Sequence, residues 1–532
     1  MRINMNSKYK IKVIAIVFMI MLVLTACNKD KGKEDPAIND NKINGKEDLE
    51  EEEVWEFDDT VRLTMEDLKK SYPDKKILLW VYDDMMSISP DVNKAINSTL
   101  DDKGYEFIIL FEEIEISAVE ESIDKMIEEG NPPDIICGGL GDAGTLQGTY
   151  RSVKKGWLLE LDSYLDLEEG RALKDIYPKK MWKSFDVNGH IYGINGFLPY
   201  NTDLVYFVNQ ELADKYNISL EEIANLQPSE LGDILDIVYQ GEKSKDFITY
   251  IYEEYYLACY SSLYDYFNRG CDAMVIDNRV KNPEAVNIYK QEDQVSYFSS
   301  LAKYRENGYL TTNQEQGEGA VNVNSFFIYQ GRDDIFGDKG EEVIKFIKED
   351  FSKVNDVAIV TYAPDYVSKQ GNGITGVCKH SDKKDLAFQA LSVVYSQKDL
   401  SDLLLYGVED VDYELNDGKV DLDGTPSFRS LYFGNPIIST STLNEPTNKK
   451  EYVFDKISKM EVCDTVGTYI ELGDLTEEID KINSITNEYA GLFDGLYPDV
   501  EKTINELNAR LEEAGFHSLL DKINHRYHSA SE

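Results

Sequence analysis

The stretch Val187 to Leu212 reads "VNGHIYGINGFLPYNTDLVYFVNQEL". Asn188-Gly189 is a tight-turn signal, and "HIYGI" after it reads as a short strand. "LVYFVN" reads as a second strand, apolar enough to be buried. Gly196 to Asn201 lie between them and contain Gly, Pro and Tyr, yet they do not form a two-residue hairpin loop. One strand is left and another entered without the turn that would pair them.

Upstream, strands alternate with helices. "KKILLWVY" (75–82) is an apolar strand, Pro90 to Gly104 a helix closed by glycine, and "YEFIILFEE" the next strand. Ser117 to Glu129 is an amphipathic helix stopping at Gly130, and "PPDIICGG" is a third strand running into a Gly-rich turn at 138–144. Strand–helix–strand order predicts parallel crossovers in a doubly wound α/β sheet. Downstream the pattern is largely helical, over 219–239, 245–267, 283–306, 339–352, 383–405 and, in pieces, 476–526. Short strands interrupt it at "FFIYQ" (326–330), "VAIVTYAP" (357–364) and "GITGVC" (373–378).

At 532 residues the chain is too long for one ordinary core, so two domains or lobes are expected. A formal charge of −44 leaves no basic face for phosphate, which argues against nucleic acid as a partner. Arg2, Lys8, Lys10 and Lys12 precede an apolar run, Val13 to Leu24, of signal-peptide length. The run ends in "LTAC", with Cys27 followed by "NKDKGKED". This resembles a bacterial lipobox. The resemblance implies cleavage before Cys27, acylation of its sulfur and an extracellular protein tethered to the cytoplasmic membrane. The charged stretch from Asn28 to about Thr60 reads as a flexible stalk, and a coil of about 40 residues reaches about 35 Å. Cys137, Cys259, Cys271, Cys378 and Cys463 are widely spaced and show neither a disulfide framework nor a CxxC metal pattern, although Cys259 and Cys271 are near enough in sequence to bridge.

Candidate ligand contacts come from position. The turn "CGGLGDAG" follows a strand but matches no phosphate-binding signature, and Asp142 within it has the chemistry to accept hydrogen bonds from hydroxyls. Trp80 ends the first strand, where an aromatic ring either stacks on a sugar face or fills core. Tyr252, Tyr256, Tyr260 and Tyr264 recur at i+4, the stripe of a helix, which would end at Phe267 near a cleft. "YELNDGKVDLDG" (413–424) fails the EF-hand spacing and reads instead as a hairpin turning at Asn416-Asp417-Gly418. No G-x-S-x-G or HExxH occurs, His525 and His528 lack companions for zinc, and carboxylate pairs are inevitable among 99 acidic residues. The sequence therefore points to no cofactor, no metal and no enzyme. A surface carbohydrate-active hydrolase, and a sensing or adhesion lipoprotein, stand as alternatives.

Taken in order, these signals resemble the family 1 extracellular solute-binding proteins of bacterial ABC importers. "LTAC" is followed by "EEGNPPDII", "GWLLELDSYL", "NGHIYGI" and "LVYFVNQELADKY", then by "GNGITGVCKHSDKKDLAFQALSVVYSQ" and the terminal "LNARLEEAGFHSLLDKINHRY". The resemblance implies a type II periplasmic-binding-protein-like fold, two α/β lobes closing on a solute by hinge motion, with a helical C-terminal part. It divides the chain into a signal peptide (1–26), a lipid-anchored stalk (27–70), a first lobe (71–197 plus 360–410) and a second lobe (201–356 plus 425–532). "HIYGI" then closes the first lobe and "GFLPYN" is the first crossing. It further implies a monomer that binds an oligosaccharide through Trp80, Asp142, Tyr200, Asn201, Phe267 and Asn372, and that delivers it to ABC permease subunits. The Gly-rich turn lacks the aromatic that some sugar-binding members carry there.

Overall fold

Leu78, Trp80, Val81, Ile108 and Ile109 are fully buried, as expected of parallel strands covered on both faces. The structure, a computed structural model, describes residues 63–84, 88–137, 146–194, 203–244, 247–252, 264–266, 271, 273–277, 279–281, 283–312, 324–333, 343–348, 351–362, 366–367, 374–422 and 433–531. The expected signal peptide, Cys27 and the expected stalk up to residue 62 lie outside them, and residues 60–532 form one compact unit. Met65–Ser71, expected at the end of the stalk, is a helix with Leu68 buried against Ile77 and Ile108. Among the described residues no helix is long and apolar enough to cross a membrane.

The first lobe begins with β1 (Lys76–Asp83), α1 (Pro90–Asp102), β2 (Phe107–Ile114), α2 (Val119–Glu128), β3 (Ile135–Cys137) and α3 (Leu146–Lys154). β1 pairs in parallel with β2, Lys76 opposite Phe107, and with β3, Trp80 opposite Ile135. Ser89 caps α1 by accepting from Val92 N, and Pro90 occupies the first turn, where its missing N–H costs nothing. β2 is an edge strand, and α1 covers it: Asn93 and Asn97 both donate to Ile109 O (2.9 and 2.8 Å), while Ile109 N donates to Asn97 Oδ1 (2.7 Å).

The chain then builds a second sheet from β4 (Asp203–Asn209), β5 (Phe247–Tyr252), β6 (Leu310–Thr312), β7 (Ser325–Asp333) and β8 (Val357–Thr361), with α4 (Glu292–Glu306) packed beside it. The strand order is β6-β5-β7-β4-β8. β5, β6 and β7 are parallel, whereas β4 runs antiparallel to both β7 and β8.

Next comes a return to the first lobe. β9 (Thr375–Val377) joins β3 antiparallel, giving the order β9-β3-β1-β2, and α5 (Lys384–Ser396), α6 (Lys398–Tyr406) and α7 (Lys449–Lys459) follow. Asp134 is the bolt of this return. Buried to 1% exposure, it accepts from Leu79 N (2.9 Å), Ser381 Oγ (2.5 Å) and Lys383 Nζ (2.7 Å), tying β1 to the segment after β9. Finally α8 (Thr476–Asn487), α9 (Val500–Glu513) and α10 (Phe516–Ser531) pack Ile479, Ile504, Leu507 and Phe516 into the second lobe's core.

Among the described residues two large hydrophobic cores result, with smaller clusters around Phe207 and Phe326 and around Ile77 and Ile108 on the sheets' other faces. The large cores place the division differently from the sequence reading. Val360 and Tyr362 pack in the second core, because β8 completes the second sheet. Phe433, Ile437, Val453, Ile457 and Met460 pack in the first, so much of the segment assigned to the second lobe covers the first. The helix expected over 245–267 is also corrected. Phe247–Tyr252 and Tyr264–Tyr266 are strands, and 253–263, with Tyr256 and Tyr260, lie outside the described residues. "FITYIY" alternates around β-favouring aromatic and branched side chains, and a sheet partner on each side outweighs the i+4 tyrosine stripe. The hairpin turn at Asn416-Asp417-Gly418 is present, with Asp417 and Gly418 at φ 50° and 77°.

Candidate functional site

The described strand ends gather at one edge of each sheet. In the first lobe β1 ends at Asp83 and β3 at Cys137, where β9 begins with Thr375 opposite Cys137. Ile194 reaches the same spot. Its N–H donates to Thr375 O (2.9 Å), and Thr375 N donates to Ile194 O (2.7 Å). In the second lobe β7 ends at Asp333, opposite the Asp203 that begins β4. β5 and β6 end side by side at Tyr252 and Thr312, and β8 ends with Thr361 opposite Val205. The chain joins the two edges directly, from Ile194 to Asp203 and from Tyr362 to Ile374. Nine trans peptide steps span at most about 30 Å, so the first connection holds the two edges that close. Open α/β sheets bind ligands beyond the carboxyl ends of their strands, which is where these edges lie.

Glycine makes the first edge possible. A Cβ on Gly193 would meet Thr375 O at 2.4 Å, and one on Gly376 would meet Tyr192 O at 2.2 Å. "YGI" and "ITG" are thus two backbones in close contact, where no side chain fits between them.

A third connection returns to the second lobe and is described in full. Tyr366–Val367 and Glu461–Val462 pair in parallel, so the second and third connections run alongside each other. Beyond them the hairpin turn Asn188-Gly189, at φ 52° and 92°, grips the chain. Asn188 N donates to Gly467 O (2.7 Å), Asn188 Nδ2 donates to Tyr469 O (3.1 Å), and Tyr469 N donates to Asn188 Oδ1 (2.8 Å). The sequence marked Asn188 as a turn residue only. Its side chain doing the work of a strand partner carried no sequence signal.

Of the expected ligand residues, only Trp80 is described, and it is core. Its ring is fully buried, packed at 5.3 Å from Phe111, 5.5 Å from Phe433 and 6.5 Å from Tyr395, so it offers no face to a sugar in this conformation. Phe433, far along the chain, also meets Tyr82 edge-on at 5.4 Å, completing an aromatic cluster beneath the edge. Asp142, Tyr200, Asn201, Phe267 and Asn372 lie outside the described residues. The flanks of Asp142, of Tyr200 and Asn201, and of Asn372 are Cys137, Ile194 and Thr375, which the sheet brings into contact. Those three segments therefore leave from one place. Phe267 follows the strand Tyr264–Tyr266, which pairs instead in a small sheet with Met274–Asp277.

Cys137, Cys271, Cys378 and Cys463 are buried, and burial pushes the Cys137 and Cys378 thiols up, away from reactivity. Cys259 lies outside the described residues. Among the described residues one cluster has metal-ligand chemistry. Glu160, Asp162 and His190 bring one ligand atom each within 4.8 Å of one another, with His190 Nδ1 at 3.4 Å from Glu160 Oε1 and 3.5 Å from Asp162 Oδ2. These are partly exposed groups at ordinary ion-pair distances.

A family model described as a domain of unknown function (DUF3502) matches residues 472–529, the C-terminal helices. No curated protein matches the sequence. Solved structures match nearly end to end. The N-glycan transport solute binding protein of Streptococcus pneumoniae (NgtS) superposes with a TM-score of 0.64 at 17% identity, covering 86% of this chain and 99% of that one. The same protein in complex with Man5GlcNAc scores 0.51 at 18% identity, covering 85% and 98%. An HMO-binding, ABC-transporter-associated solute binding protein of Bifidobacterium longum infantis scores 0.53 at 13% identity, again covering 85% and 98%. The fold is the two-lobed fold of these binding proteins.

Proposed function

We propose that the protein captures an oligosaccharide between its two lobes and delivers it to an ABC permease. The observation that carries this reading is the convergence of both sheets' edges on the connections between them. The fold adds weight, since the similar structures bind N-glycan fragments and milk-type oligosaccharides by name. The lobes are assigned to 63–194 plus 374–469 and to 203–362 plus 470–531, following the two cores. Asp142, Tyr200, Asn201 and Asn372 line the cleft, supported by the shared origin of their segments, and Phe267 is retained as a contact from the second lobe.

Binding needs no bond to be made or broken. A solute that contacts both lobes binds the closed form better and shifts the open–closed equilibrium by that difference alone. The protein acts as a monomer, and Cys27 carries the lipid, a palmitate-type diacyl anchor, that tethers it to the extracellular face of the membrane. That part rests on the "LTAC" motif.

Calorimetric titration with mannose-containing N-glycan fragments and milk oligosaccharides tests the reading. Saturable binding is expected, weakened about tenfold, or about 1.4 kcal/mol, by Tyr200→Ala. Affinity unchanged in both Tyr200→Ala and Asp142→Ala would remove these residues from the site. Shortened sugars after incubation would favour a hydrolase. Cys27→Ala is expected to release the protein from membranes.

A further inference from the structure

The third connection changes allegiance within two residues. Up to Tyr469 it belongs to the first lobe, since Asn188 occupies both backbone groups of Tyr469 and the Tyr150 ring of α3 stacks on the Tyr469 ring at 6.0 Å with an 8° interplanar angle. From Glu471 it belongs to the second. Arg526 of α10 donates to Glu471 O and forms a bidentate pair with Asp474 at 2.7 and 2.7 Å. Ile470 alone lies between, its side chain seated in the second core. An open recess of about 850 Å³ sits at this junction, with Tyr150 and Asn188 on one wall and Asp474, His525 and Arg526 on the other. Two bodies gripped this closely on either side of one residue concentrate their relative rotation in its backbone angles.

Side chains also bridge the junction. Lys154 of α3 pairs with the Glu471 carboxylate, and Tyr527 OH of α10 reaches Asp464 O at 3.5 Å. The Lys154 bond holds the Glu471 carboxyl below the usual carboxylate range, with Gly473 N donating to the same group at 3.1 Å.

We infer that Ile470 is the pivot of the third connection and that the Lys154–Glu471 pair is a strut across it, biasing the lobes toward the separation seen here. The inference deepens the capture reading and rests on it for its purpose, but not for its test. The pair joins α3, which is fixed to the first lobe, to a carboxylate whose backbone is fixed to the second. Rotation at Ile470 changes that distance, so the pair stabilises one range of angles over others. Both partners are about half exposed, so the bias is small, a shift of about twofold to fivefold in conformer ratio.

Spin labels on the full chain at Leu167 in the first lobe and Ile237 in the second, both half exposed, report the separation without any sugar. Lys154→Met and Glu471→Gln are each expected to move the distance distribution in the same direction, and the double variant no further than either. Lys522→Met, which breaks a pair with Glu478 inside the second lobe, is expected to leave it unchanged. A distribution identical to the unsubstituted protein in both single variants, or additive shifts in the double, would overturn the strut. Thermal unfolding of each variant identifies loss of fold. Failure here would leave sugar capture standing, and a protein that binds no sugar would still show or lack the strut.

Discussion

The two lobes solve the same packing problem with different side chains. The first core is built on Ile, Leu, Val, Trp and Phe, with Tyr82, Tyr177 and Tyr395 as its tyrosines. The second holds Tyr206, Tyr250, Tyr252, Tyr264, Tyr289, Tyr297, Tyr304, Tyr309, Tyr362 and Tyr527 among its described residues. A buried tyrosine is favoured where its hydroxyl finds a partner, and the margins of the second lobe supply several, although Tyr297 OH is buried without one among the described residues. Tyr206 donates to Leu226 O (3.1 Å), Tyr304 to Pro228 O (3.1 Å), Tyr252 to Phe493 O (2.8 Å) and Tyr309 to Asp236 Oδ1 (2.5 Å). At the centre Tyr250 OH donates to Gln330 Oε1, and Gln330 Nε2 donates to Tyr362 OH at 2.6 Å. The first lobe's buried polar network centres on the Asp134 carboxylate, the second lobe's on tyrosine hydroxyls and Gln330, and each must stay satisfied.

Spectroscopy separates the lobes, because Trp80, Trp157 and Trp182 all belong to the first core or pack against it. The largest effect expected is from Trp80→Ala, which empties the centre of that core and costs about 3–5 kcal/mol. Urea unfolding followed by the remaining tryptophans reads it, and a cost below about 1 kcal/mol would mean the ring is not core. Asp134→Ala comes next, since it removes the carboxylate that accepts from Ser381 Oγ and Leu79 N and leaves the Lys383 ammonium with Ile77 O but no counter-charge among the described residues. About 2–3 kcal/mol is expected, again on the tryptophan signal. Gln330→Ala is expected to cost about 2 kcal/mol by removing the acceptor of the Tyr250 hydroxyl and a donor to Tyr362 OH, and the loss should show in tyrosine exposure while the tryptophan transition stays put.

Alkaline pH sharpens the contrast further. Burial, more than neighbouring charge, raises Tyr206, Tyr250 and Tyr297 well above the ordinary tyrosine value, and pushes Tyr304 up to about 12. Groups raised in the folded state stabilise it fully below the unfolded pKa of about 10 and lose that contribution as pH rises beyond it. The second lobe, with more of them, is expected to unfold at lower alkaline pH than the first. A second rise in tyrosinate absorbance, beyond that of the exposed tyrosines at a pH of about 10 and before the tryptophan shift, supports this, and a tryptophan shift preceding that second rise counts against it.

The same contrast explains what the sequence disclosed. The first lobe's strands were legible because "KKILLWVY" and "YEFIILFEE" are apolar runs separated by a helix with a serine cap and a closing glycine, and the fold class followed from their alternation. The second lobe's "FITYIY" was not, because tyrosine serves helix faces and strands alike, and Tyr252 and Tyr264, two of the four tyrosines spaced at i+4, lie in strands. The lobe boundary was misplaced for a related reason. Phe433 to Met460 carry no local mark of which core they join, since that depends on Trp80 and Tyr82 lying some 350 positions earlier. Of the residues the sequence suggested, Asp142, Tyr200, Asn201 and Asn372 lie in segments whose flanks Cys137, Ile194 and Thr375 meet at one sheet edge, whereas Trp80, read either as a stacking ring or as core, is core.

Hydrogen–deuterium exchange of the full chain, with and without a saturating mannose-containing N-glycan fragment, tests the cleft most directly. Protection is expected in the segments that leave the facing edges, 84–88, 137–146, 194–203 and 362–374, with the outer helices α1 and α9 unchanged. Protection confined to another face, with those four segments exchanging as before, would contradict a ligand held between the lobes.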